Sequence, residues 1–82
     1  MRKFHFFGTF THPSGEWAEV YGEAVRAYEA WHGYLRGGKI VDRIDRPNGV
    51  TYAFSANGDV LRMRFDFDGF LHVELLEAEQ AA

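Results

Sequence analysis

The chain contains no cysteine. Disulfides and thiolate metal sites are thereby excluded, and a reducing compartment is allowed. No apolar run approaches the ~20 residues that a membrane-spanning helix needs. The opening MRKFHFFGTF is basic and then apolar, yet His5 and Gly8 interrupt it. No small-residue cleavage site follows a long apolar stretch, so it is not read as a signal peptide. A Gly-rich loop leading into a helix, which a phosphate cradle needs, is missing. Repeats, low-complexity tracts and linkers are missing too. These absences lead to the expectation of a soluble, cytoplasmic domain.

What is present is dense. The chain has 82 residues, 46% hydrophobic and 17% aromatic, with eight Phe, four Tyr and two Trp. That length allows a single domain over residues 1–82, and the aromatics give it large burial per residue. Nine basic and twelve acidic residues leave a net charge of −3. That balance keeps a protein in solution and disfavours one whose work is neutralising phosphates.

Lys3 to Phe10 is aromatic-rich and reads as a strand, with Phe4, Phe6 and Phe10 on one face and His5, Phe7 and Thr9 on the other. Thr11 to Gly15 reads as a loop. Glu16 to Arg36 reads as a helix: Trp17, Val20, Tyr21, Ala24, Val25, Tyr28, Trp31, His32 and Leu35 form one apolar stripe at helical period. Glu19, Glu23, Arg26 and Glu29 fall opposite. Ser14 is the expected N-cap, and Gly37-Gly38 the stop. The two tryptophans and Tyr28 are expected to bury against the sheet.

From Lys39 onward the pattern is three consecutive hairpins. Pro47-Asn48-Gly49 reads as a three-residue loop, because Pro47 lacks the N–H a tighter turn would use there. It sets Ile44 opposite Tyr52. Asn57-Gly58 reads as a two-residue type I′ turn, setting Phe54 opposite Leu61 and Tyr52 opposite Met63. Phe67-Asp68-Gly69 reads as a three-residue loop, setting Met63 opposite Val73 and Arg62 opposite Glu74, since a one-residue slip would mix the faces. Glu77 to Ala82 reads as a polar tail that frays.

The expected fold class is α+β, in the order β-α-β-β-β-β. One long amphipathic helix packs on one face of a mostly antiparallel four- to five-stranded sheet. This order of elements resembles that of cystatin-like folds. The resemblance is one of topology: the chain has no Gln-x-Val-x-Gly loop of the kind cystatins set against cysteine proteases, so it implies no such inhibition. By these registers the helix covers Ile44, Val50, Tyr52, Phe54, Leu61, Met63, Phe65, Leu71, Val73 and Leu75.

The opposite face is then open and carries Arg43, Asp45, Thr51, Ala53, Ser55, Val60, Arg62, Arg64, Asp66, His72 and Glu74. Arg43, Arg62, Arg64, Asp66, His72 and Glu74 are the candidate binding residues, because arginine is favoured at interfaces and makes bidentate contacts. Cross-strand ion pairs on a solvated face are the plainer account of the same residues.

His5, His12, His32 and His72 have no ligand-spaced neighbours, so no metal or cofactor is expected. Ser14 and Ser55 have no base placed beside them by a local motif, and the expectation is a non-enzymatic protein. The leading expectation is a protein-binding module whose partner is a larger protein or complex, with nucleic acid disfavoured and no membrane contact. In size and composition alone the chain is similar to phage-encoded inhibitors of host defence, such as anti-CRISPR proteins. A nucleic-acid-associated domain and a small enzyme rank second and third. Monomer and homodimer both stay open.

Overall fold

In a computed structural model, residues 2–79 are described, apart from the side chains of Tyr34 and Leu35. The Leu35 position of the expected stripe and the last part of the expected tail, 80–82, lie outside them. The elements are β1 (His5–Phe10), α1 (Trp17–Arg36), β2 (Ile40–Asp45), β3 (Val50–Ser55), β4 (Val60–Phe65) and β5 (Leu71–Leu76). The fold is α+β, with α1 packed on a five-stranded antiparallel sheet of order β1-β5-β4-β3-β2. β1 pairs with β5 at one edge, so β1 and β2 run parallel at opposite edges and α1 carries the chain between them.

All three hairpins use the same loop. Arg46, Ser55 and Asp66 each donate a backbone N–H to the residue four positions on, and accept one from Gly49, Gly58 and Gly69. Those glycines have φ of 81°, 94° and 85°, the left-handed region that closes a three-residue loop. The first and third registers are as expected: Ile44 faces Tyr52, Met63 faces Val73 and Arg62 faces Glu74. The second differs. Its loop is Ala56-Asn57-Gly58, not Asn57-Gly58, and it pairs Phe54 with Val60 and Tyr52 with Arg62.

That single residue inverts β2 and β3. Thr51, Ala53 and Ser55 lie under the helix and are buried, whereas Val50, Tyr52, Phe54 and Ile44 face the open side. The physical reason is volume. Val20, Ala24 and Tyr28 of α1 bury their side chains over the sheet together with Leu61, Met63, Leu71, Val73 and Leu75. Small side chains on β3 leave room for the Tyr28 ring, which Tyr52 and Phe54 would not.

The covered stripe is also smaller than expected. The tryptophans lie off the covered part of the stripe: Trp31 is 76% exposed and Trp17 36%, whereas the His32 ring packs near Tyr28 and Phe7. Tyr28 alone of the three aromatics expected to bury is fully buried. The N-cap is Glu16, not Ser14. Ser14 acts just outside the helix, where its hydroxyl accepts the Glu16 N–H at 3.2 Å and donates to Glu19.

β1 carries a bulge between Phe6 and Gly8. A Cβ at Gly8 would lie 3.0 Å from the Phe10 ring, so glycine there lets that ring fold back. The bulge changes the expected faces: Phe7 and Phe10 stack, 6.1 Å apart, against the core, while Phe6 points to the open side. β2 has a second bulge between Ile40 and Asp42.

One carboxylate is buried with the core. Asp59, on the first residue after the second loop, is 1% exposed. Its Oδ2 accepts the Tyr28 hydroxyl at 2.6 Å and the Asn57 amide at 3.2 Å. Its Oδ1 accepts the Ala78 N–H at 2.7 Å and lies 3.8 Å from Arg36. Asn57 also donates to the Arg36 carbonyl at 3.0 Å. Helix end, loop and the residues after β5 are thus tied to one point. Within the expected tail, Ala78 belongs to this cluster and Glu77 lies 3.7 Å from Arg36.

Candidate functional site

The uncovered face is ordered in rows by the pairing. The middle row runs Phe6, Glu74, Arg62, Tyr52, Ile44 across all five strands. Beside it run Thr9, His72, Arg64 and Val50, and on the other flank Leu76, Val60, Phe54 and Asp42. Sheet twist turns the first two rows into a groove of about 640 Å³, lined by Phe6, Val50, Tyr52, Arg62, Arg64, His72 and Glu74 with Asn48 at one end.

The two arginines are in different states. Arg62 is charge-paired: its Nε and Nη2 donate to Glu74 Oε1 at 2.9 and 2.8 Å, and its guanidinium lies 4.0 Å from the Phe4 ring centre. Arg64 makes no ion pair or hydrogen bond among the described residues. His72 is held from both sides. Its Nε2 lies 2.7 Å from Asp66 Oδ2 and its Nδ1 3.2 Å from the Thr9 hydroxyl. The carboxylate takes an N–H from Nε2, and the Thr9 hydroxyl, able to donate or accept, satisfies Nδ1.

Asp66 also accepts the N–H groups of Asp68 and Phe70 at 2.9 and 3.0 Å, closing the third loop. The His72 hydrogen bond, ahead of those two N–H groups, holds its carboxyl below the usual value. Hydroxyl, imidazole and carboxylate in this order are the parts of an activated nucleophile. Here all three are exposed, and water takes away the desolvation such chemistry uses.

Five of the six expected site residues therefore lie together: Arg62, Arg64, His72 and Glu74 in the groove and Asp66 against His72. Arg43 does not. It pairs with Ala53, on the helix side, where its guanidinium lies 5.1 Å from the Trp17 ring and 5.0 Å from the Tyr21 ring. The same inversion adds what the sequence reading placed elsewhere: Val50 and Tyr52, assigned to the core, and Asn48, assigned to a turn. All three loops end in Asx-Gly (Asn48-Gly49, Asn57-Gly58, Asp68-Gly69) and admit the three-residue reading, but nothing in the second loop's sequence excludes the two-residue one.

Among the described residues no group of three His, Asp or Glu side chains is gathered as a metal site would need, and no helix is long and apolar enough to cross a membrane. No protein-family model matches the chain, and no curated protein or solved structure matches it.

Proposed function

We propose that the chain is a non-enzymatic binding module that docks a larger protein on its open sheet face, in a reducing, cytoplasmic setting suited to a cysteine-free chain. One observation carries this reading. The face opposite the helix is a groove walled by Phe6, Val50 and Tyr52 and set with arginine, and Phe6 is 69% exposed on it. Aromatic side chains beside arginine are the composition of interface anchors. A stable contact needs roughly 800 Å² from each partner, which a five-stranded face supplies. Inhibition of a host defence complex is one activity open to such a module and is supported by size and composition alone.

A second reading rests on the same aromatics. Phe6, Tyr52 and Phe54 near Arg62 and Arg64 resemble a sheet on which unpaired bases stack. Glu74, Asp42 and Asp66 on or beside that face, and the net charge of −3, weigh against it.

The experiment compares capture from lysate by three proteins: the parent, Arg62→Glu with Arg64→Glu, and Glu19→Lys with Glu23→Lys. A partner held by the parent and the helix variant, and lost by the sheet variant, is the expected result. A partner lost by the helix variant alone overturns the assignment of the face. Retention of the parent on single-stranded DNA or RNA that falls steeply with salt replaces it with the second reading.

A further inference from the structure

Most of the groove's unspent groups are donors; Glu74 Oε2 is the exception, since both Arg62 contacts go to Oε1. Four donors that line it have no partner among the described residues: the Arg64 guanidinium, Arg62 Nη1, the Asn48 amide and the Tyr52 hydroxyl. Asn48 uses its oxygen to accept the Val50 N–H at 3.1 Å, which leaves its NH₂ outward. His72 has both nitrogens engaged, and Arg62 is neutralised by Glu74. What remains is one guanidinium, that of Arg64, with no ion pair among the described residues and with neutral donors near it, between the apolar walls of Phe6 and Val50.

We propose that this groove takes a carboxylate: an Asp or Glu side chain on an extended segment of the partner, seated on Arg64, with an apolar neighbour lying on Phe6 and Tyr52. The proposal rests on the protein-docking reading above and names its chemistry. A planar guanidinium pairs a carboxylate through two parallel N–H bonds, a match in both charge and shape. A phosphate dianion fits less well. It would bring two negative charges to one free cation, with Glu74 in the same groove and Asp66 beside His72. Polar neutral groups would leave the Arg64 charge without a counterpart once the groove is covered, a desolvation cost that disfavours them.

The test is a nuclear magnetic resonance titration of the whole chain with three probes: N-acetyl-Phe-Glu-Phe-amide, its Gln counterpart, and inorganic phosphate. The Glu peptide is expected to shift the Arg64 Nε–H and Asn48 side-chain amide signals saturably, with affinity about tenfold above that of the Gln peptide. Arg64→Gln, shown to be folded by circular dichroism, is expected to erase that difference. Equal affinities for both peptides in the parent, with shifts on this face, overturn the carboxylate assignment and leave the docking face standing. Phosphate binding tighter than the Glu peptide overturns it as well. Shifts confined to the helix around Glu19 and Glu23, or none at about 10 mM peptide, overturn it together with the reading it rests on.

Discussion

Tyr28 and Asp59 show at the scale of single residues how this chain holds a charge inside a small core. Burial alone pushes the Asp59 carboxyl up. The Ala78 N–H, the Tyr28 hydroxyl, the Asn57 amide and Arg36 together outweigh it and hold the group below its ordinary value. Burial, followed by the bond to Asp59, pushes the Tyr28 hydroxyl up to about 12. The signs differ for the two groups. Asp59, lowered in the folded state, adds stability above the ordinary carboxylate range that is lost as pH falls through its folded value. Tyr28, raised in the folded state, adds stability that is complete below its unfolded value of 10.0 and is lost as pH rises through about 12. Tyr28→Phe is therefore expected to lower stability by roughly 1.5–3 kcal/mol near neutral pH, the range for a hydrogen bond to a charged group. It should also remove part of the alkaline fall. Tyr21, whose hydroxyl is likewise raised by burial, contributes a fall of the same sign that Tyr21→Phe removes on its own. Urea melts at about pH 8 and about pH 11 measure both effects; an alkaline fall unchanged in Tyr28→Phe would refute the assignment.

At the scale of elements, the second hairpin decides what the open face is made of. Its register has a direct readout. Ser55 donates its N–H to the Asp59 carbonyl, so Phe54–Val60 and Tyr52–Arg62 alternate with that hydrogen-bonded pair. Alternate pairs of this kind bring Cα atoms to ~4.5 Å, and Hα–Hα contacts between Tyr52 and Arg62 and between Phe54 and Val60 are expected in a nuclear Overhauser spectrum. A Phe54–Leu61 pairing would restore the two-residue turn. Positive φ at Gly58 does not tell the two apart, since both loops need it. That is why this hairpin was not legible in the sequence while its neighbours were. Pro47 ruled out one loop at the first turn, and the apolar pattern of Leu61, Met63, Leu71 and Val73 decided the third. At the second, hydrophobic alternation favoured Tyr52 and Phe54 inside, and the volume claimed by Tyr28 is a tertiary quantity that no strand pattern encodes. The candidate site inherited the outcome: residues on β4 and β5 were placed correctly, and Arg43 on β2 was not. The helix was legible in period, but not in which positions of its stripe the sheet covers. Trp31→Ala is accordingly expected to change stability by less than ~0.5 kcal/mol, as exposed positions do, and Trp31 fluorescence to be that of a solvated indole. A loss of several kcal/mol would show the helix end seated on the sheet.

At the scale of the whole molecule, the core and the candidate docking face lie on opposite sides of one sheet. The core is built from Val20, Ala24 and Tyr28 against β3, β4 and β5, and none of its buried side chains reaches the groove except through the backbone of Val73. Arg62→Glu with Arg64→Glu is therefore expected to stay folded. Its cost is the Arg62–Glu74 pair and like-charge repulsion on an exposed face, about 1 kcal/mol or so, read as a shift of a few degrees in Tm. A variant that unfolds would mean the face carries stability as well as contact. The edges of the sheet behave differently from its face. β1 and β2 both end the sheet with backbone groups unpaired, a template on which another chain's strand could grow. Each has a bulge that breaks the flat register, and β2 adds Asp42, Arg43 and Asp45 along its length. Guarded in this way, the rims of the sheet offer copies of the chain little on which to stack without limit into fibres.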